Sequence, residues 1–160
     1  MVQNQMALLA RIQSGGQTGA DRAALDWAIE HHIPHSGWCP KGRRTEDEPL
    51  DARYQLNETP RPSYLQRTEW NVRDSDGTVV FSIGEHLTGG SLKTLELAIK
   101  HRKPHLHLSA ASKANAASEL KKWIQQNHIR VLNVAGPRAS KEPKVADFVI
   151  ATLDAALTPP

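Results

Sequence analysis

Short apolar runs alternate with longer stretches of helical periodicity along the chain, and this alternation limits the fold more than any other feature. Strands are predicted at Met6–Gln13, Ile33–Trp38, Thr78–Ile83, Pro104–Leu108 and Arg130–Ala135. Helices are predicted over Thr18–His31, Ser63–Asp74, Ser91–Arg102, Ser112–Asn127 and Glu142–Leu157. Ala23, Leu25, Trp27, Ala28 and Ile29 supply apolar positions to the first helix, and Leu65, Trp70 and Val72 to the second. Leu92, Leu95, Ala98 and Ile99 do the same for the third. Strands that alternate with helices of this length form βα units and a mostly parallel sheet. The expected architecture is therefore α/β: a doubly wound, mostly parallel sheet of about five strands with helices on both faces. The length of 160 residues suits a single domain over 1–160. The polar stretch from Cys39 to Pro62 is longer than an ordinary connection and is expected to be a functional loop.

Composition excludes several classes of function. A lone cysteine, Cys39, rules out an internal disulfide and a zinc site built from cysteine pairs. No apolar stretch is long enough to span a membrane. Met1–Gln13 lacks a basic lead-in and a small-residue cleavage site, so it reads as a first strand rather than a signal peptide. A reduced, cytoplasmic setting fits these features. The net charge of +3 is unevenly spread: residues 1–80 carry 9 Lys+Arg against 11 Asp+Glu, and residues 81–160 carry 11 against 6. Eight of the 9 cations in the first half are Arg, whose planar fork suits oxyanions. Without an extended basic run or an RNA-binding signature, the expected partner is a small anionic molecule, not nucleic acid.

Three strand-to-helix junctions carry glycine-rich sequences that a parallel sheet places on its carboxyl edge, where open α/β sheets bind ligands. They are Ser14–Arg22, Leu87–Ser91 and Ala135–Lys141. Glycine lets backbone approach a ligand closely, and each following helix start offers N–H groups to an anion. Gly15, Gly16, Gln17, Thr18, Gly19 and Arg22 are the candidates at the first junction. Thr88, Gly89, Gly90 and Ser91 are those at the second, and Gly136 and Arg138 at the third. Each turn taken alone is equally a plain tight turn with a capped helix; three on one edge favour a phosphate-like site. None matches a P-loop or a dinucleotide-binding fingerprint. The second strand ends in Trp38, followed by Lys41, Arg43 and Arg44, as a stacking ring and an anion clamp or as a solvated basic loop over a buried Trp. Arg67, Arg73 and Arg138 are further cations that can reach the crevice. Asp21 and Glu96 are the acid/base candidates if the protein is an enzyme. The eight histidines show no zinc-site spacing, and no metal ligands are assigned. Cys39, beside Lys41, is either a thiol of lowered pKa or an inert one.

The segments Ser14–Asp26, Gly37–Arg44, Arg67–Thr78, Thr88–Ser91 and Asn133–Arg138 together resemble the motifs of the molybdenum-carrier family, a circularly permuted branch of the SLOG group of Rossmann-like proteins. The resemblance covers nearly the whole chain. It implies a Rossmann-like fold, a homo-oligomer (dimer or tetramer), and a carrier without catalysis. The implied cargo is the molybdenum cofactor (molybdopterin) or another nucleotide-like phosphate ligand, and molybdenum-cofactor enzymes are the implied protein partners. Other SLOG proteins sense nucleotide derivatives or cleave cytokinin nucleotides at the N-glycosidic bond. Those hydrolases carry Pro-Gly-Gly-x-Gly-Thr-x-x-Glu. Here Thr88–Glu96 keeps the Glu, but Leu92 and Lys93 stand where the Gly-Thr pair is expected, which makes hydrolysis the lesser reading.

Overall fold

A computed structural model describes residues 9–112 and 114–158. The strands are β1 (Arg11–Gln13), β2 (His35–Ser36), β3 (Trp38–Cys39), β4 (Asn57–Glu58), β5 (Gly77–Ser82), β6 (His105–Ser109) and β7 (Val131–Ala135). The helices are α1 (Ala20–Glu30), α2 (Tyr64–Arg73), α3 (Gly89–Lys100), α4 (Ala116–Gln126) and α5 (Val145–Leu157). Five strands form one parallel sheet in the order β2-β1-β7-β5-β6. The α/β, Rossmann-like expectation holds. The part of the first predicted strand at residues 6–8 lies outside the described residues.

The strand order has a simple explanation. Counted from β7 and continued through β1, β2, β5 and β6, the sheet reads 3-2-1-4-5, the order of a dinucleotide-binding fold. The strand that opens such a fold is here the last strand of the chain. It sits at the centre, paired with β1 through Leu132↔Ile12 and with β5 through Val134↔Val79.

Strand alternation divides the sheet into two unlike faces. Ile12, Leu132, Val134, Val79, Phe81 and Leu108 point to one face and pack beneath α1, α4 and α5 with Trp27, Leu120, Ile124, Val149 and Leu153. The opposite face carries Gln13, Asn133, Thr78 and Ser82, all buried, under α2 and α3. Its apolar packing shrinks to Val80 on the sheet and Val72, Leu97 and Ala98 on the helices. The polar groups bond to one another instead: Gln13 Nε2 donates to Asn71 O at 2.8 Å and Asn133 Nδ2 to Thr78 Oγ1 at 3.1 Å. Pairing of this kind is what makes burial of polar groups tolerable.

The structure corrects three expectations. The single strand at Ile33–Trp38 is divided at Gly37, whose φ is 144°; β2 joins the main sheet, while β3 pairs with β4. A Cβ at Gly37 would collide with Ser14 O. The stretch 39–62, expected as one polar loop, contains β4 and an apolar cluster. Leu50, Tyr54 and Leu56 fold onto Leu25 and Cys39 as a small core of their own. Finally, α3 is turned relative to its apolar pattern: Ser91, Thr94, Leu97 and Ala98 face inward, and Leu92 and Ile99 are 41% and 56% exposed. Leu65 on α2 and Ile29 on α1 are also exposed.

Candidate binding crevice

Helices leaving the adjacent strands β7 and β5 go to opposite faces of the sheet, α5 to one and α3 to the other. Such a switch opens a crevice at the carboxyl ends of the two strands. A cavity of about 240 Å³ lies there. Its walls come from the first junction (Gly15, Gln17, Asp21), from α2 (Tyr64, Arg67, Thr68, Asn71), from the second junction and α3 (Thr88–Ser91, Thr94), and from β7 and its turn (Asn133–Arg138, Lys141).

Local sequence explains how each wall is held. Gly19 has φ of 85°, and a Cβ there would come within 2.8 Å of Ala139 N and closer still to Pro137 O, so only glycine lets the first turn lie on the third. Thr18 Oγ1 accepts from Ala139 N at 3.1 Å. At the second junction Thr88 gives no side-chain cap to α3, which leaves the first N–H groups of that helix beside the cavity. By contrast, the Ser63 and Asn115 side chains cap α2 and α4 by accepting from Gln66 N and Ser118 N. Lys141 Nζ donates to Thr88 Oγ1 at 2.6 Å and so ties the second and third junctions together at the rim.

The deepest charges are Arg67 and Asp21, each 7% exposed. Arg67 Nη1 donates to Gly15 O at 2.7 Å and stands 3.7 Å from Asp21 Oδ2. Asp21 Oδ2 also accepts from Gln17 N at 3.3 Å. Burial pushes the Asp21 carboxyl up to about 6, against the opposing pull of Arg67, the Gln17 N–H and Arg22. With Arg138 and Lys141 added, the cavity wall holds three cations and one carboxylate. No thiol or imidazole of the described residues contributes to it. Among the described residues, no group of three or more His, Cys, Asp or Glu is arranged to hold a metal.

The crevice thus brings together Gly15, Gln17, Asp21, Arg67, Thr88, Gly89, Gly90, Ser91, Gly136 and Arg138 of the residues singled out from sequence. The other candidates stand outside its wall. Gly16, Thr18 and Gly19 shape the first turn from behind. Arg22 donates to Gly16 O at 3.3 Å and pairs with Asp47 at 3.4 Å. Trp38 donates to Asp74 Oδ2 at 2.8 Å and meets Trp70 edge-on. Arg44 lies over the Tyr64 ring, and Lys41 is exposed. Arg43 donates to the carbonyls of Leu50, Asp51, Tyr54 and Leu56, within its own loop. Glu96 is exposed on the outer side of α3, away from the cavity. Cys39 is buried, and burial raises its thiol pKa, which favours the inert of its two readings.

Sequence reading passed over Tyr64, Lys141 and Glu46. Glu46 accepts from Thr18 Oγ1, from Ser140 N at 3.2 Å and from Ser140 Oγ, with Arg138 Nε at 3.6 Å. These hydrogen bonds hold its carboxyl below the usual range and pin the 39–62 segment to the third junction. The signal available was the placement of Lys141 in the third glycine turn; nothing local marks Glu46, because its partners are far away in sequence.

The model of the circularly permutated YpsA SLOG family matches residues 12–157. The chain belongs to that family. The structure of this SLOG family member is also similar to the crystal structure of a protein described as "Putative molybdenum carrier protein" from Syntrophus aciditrophicus SB. That protein is 46% identical, with a TM-score of 0.92 over 95% of this chain and 97% of the other. No curated protein matches the chain.

Proposed function

We propose that this SLOG protein binds and carries a small phosphate-bearing heterocycle, with the molybdenum cofactor as first choice. The observation that carries the reading is Arg67: a guanidinium buried in the cavity, with two further cations at the rim and uncapped N–H groups at the start of α3. A desolvated cation in a cleft attracts an anion far more strongly than a surface one. The description of the Syntrophus protein favours a molybdenum-containing cargo. A cavity of about 240 Å³ is smaller than the common range of ligand pockets, about 300–1,000 Å³, so it suits the anionic arm of the ligand, with the remainder reaching toward solvent.

Calorimetry with purified molybdenum cofactor and with a panel of nucleotides tests the proposal. Selective binding that Arg67→Met weakens by about 10–100-fold is expected, the usual loss when a charged hydrogen bond is removed. Weak, equal binding of every compound would overturn it.

A second reading, a nucleotide hydrolase, has one observation in its favour: Asp21 is a buried carboxyl in the crevice with a pKa near that of a general acid or base. Release of base or phosphate from nucleoside monophosphates, abolished in Asp21→Asn, would support it; no turnover across the panel would end it.

A further inference from the structure

We propose that the crevice takes up its oxyanion together with a proton, so that the Asp21 carboxyl is protonated in the complex and donates to the oxyanion held by Arg67. This rests on the anion-binding reading above and adds a linked chemical event to it.

The geometry of two buried side chains leads there. Arg67 spends Nη1 on Gly15 O; among the described residues, no acceptor meets its Nε or Nη2. Asp21 uses Oδ2 for Gln17 N and the Arg67 contact; no donor among the described residues meets its Oδ1. These atoms are not sealed in protein, since the buried, unpartnered side-chain nitrogen or oxygen found is Arg22 Nε. Both residues line the cavity, where Arg67 also lies over the Tyr64 ring. An oxyanion seated on the open edge of Arg67 therefore lies beside a carboxylate oxygen that has no donor of its own.

Two anions side by side in a desolvated site repel, and a shared proton removes that repulsion. The charges around Asp21 decide whether one is needed. Arg22 follows it on α1 but is turned to Gly16 O and Asp47. Arg67 approaches from α2 and is already balanced by Asp21 itself. Arg138 and Lys141 reach the rim from the turn after β7, where Arg138 faces Glu46 from the 39–62 segment. The junction after β5 contributes uncharged Thr88–Ser91. Arg67 and Asp21 thus form a neutral pair at depth and Lys141 adds one positive charge at the rim, so a dianion such as sulfate leaves one negative charge uncompensated until a proton from solvent binds. Burial raises the Asp21 carboxyl pKa, which acts in the same direction as the proposed uptake.

The test uses sulfate, whose charge stays constant over roughly pH 5 to 8, with the whole protein. If the bound state holds one more proton, sulfate affinity falls by about tenfold for each pH unit above about 7. Calorimetry in two buffers of different ionisation enthalpy then gives close to one proton taken up per sulfate, without any mutation. Asp21→Asn, whose amide oxygen can still accept from Gln17 N, flattens the pH profile and binds at high pH as wild type does at low pH. Arg67→Met abolishes the crevice binding. Affinity independent of pH without proton uptake, a profile unchanged in Asp21→Asn, or no sulfate binding at any pH by the folded protein would each overturn the proposal. Cofactor or nucleotide binding that persists beside such a result leaves the carrier reading intact and removes the proton alone.

Discussion

Asp21 and Arg43 show how differently two charged side chains from neighbouring glycine turns are used. Asp21 has a raised pKa in the folded chain, so the folded state binds its proton more tightly than the unfolded one. Its contribution to stability is complete below the unfolded value near 4 and disappears as pH rises to about 6. Asp21→Asn does not suffer that loss. Denaturant titrations at pH 4 and pH 7 should therefore show the stability difference moving in favour of the variant by about 2–3 kcal/mol. A difference that stays constant would place the raised pKa in doubt. Arg43, in contrast, holds four carbonyls of its own segment. Arg43→Met should lower stability by about 1–3 kcal/mol, read from the urea midpoint; an unchanged midpoint would mean that Leu50, Tyr54 and Leu56 hold the segment unaided. Sequence composition made both residues visible as charges near a crevice. It did not tell which one faces the cavity, because that depends on partners such as Arg67 for Asp21 and Leu56 O for Arg43 that only the folded chain brings near.

At the scale of elements, the alternation of strands and helices was legible because it is local, and the sidedness of the elements was not. The periodic Leu92 and Ile99 look like the core face of α3, yet Ser91 and Thr94 turn inward because that end of the helix forms the cavity wall. A binding face keeps polar groups inside, so an apolar pattern points the wrong way there. The split between β2 and β3 was hidden for a similar reason: Gly37 occupies a position set by Ser14 O from another strand end. Glycine substitutions can test these contacts. Gly19→Ala combines a positive φ with collision against the turn at Pro137–Ala139. It should cost at least about 1–2 kcal/mol and weaken anion binding by separating the first and third junctions. Thermal denaturation together with sulfate titration checks both; loss of stability with unchanged affinity would show that the junctions act independently. Gly37→Ala should be as damaging to stability, since its neighbour is backbone that cannot swing aside.

For the whole molecule, the order β2-β1-β7-β5-β6 predicts that the chain can be rewired. In the 3-2-1-4-5 order, the helix after the central strand leads directly into the next strand, which here means α5 into β1. A permutant that starts at His128 and joins Thr158 to Leu9 through a short Gly/Ser linker should fold cooperatively and keep the crevice. Circular dichroism melting and sulfate binding measure this. A permutant without a cooperative transition would show that β7 is placed by its connections rather than by its pairing. None of this order can be read from periodicity, which marks strands without naming their neighbours. The location of β7 also has a bearing on synthesis. Until Val131–Ala135 leaves the ribosome, β1 and β5 each present an open edge on the side where β7 belongs. The nascent chain is then two half-sheets awaiting one strand, and such edges invite pairing with other chains. Shielding of the first 130 residues by a chaperone, and not further stabilisation of the finished sheet, would then govern how much native protein is produced.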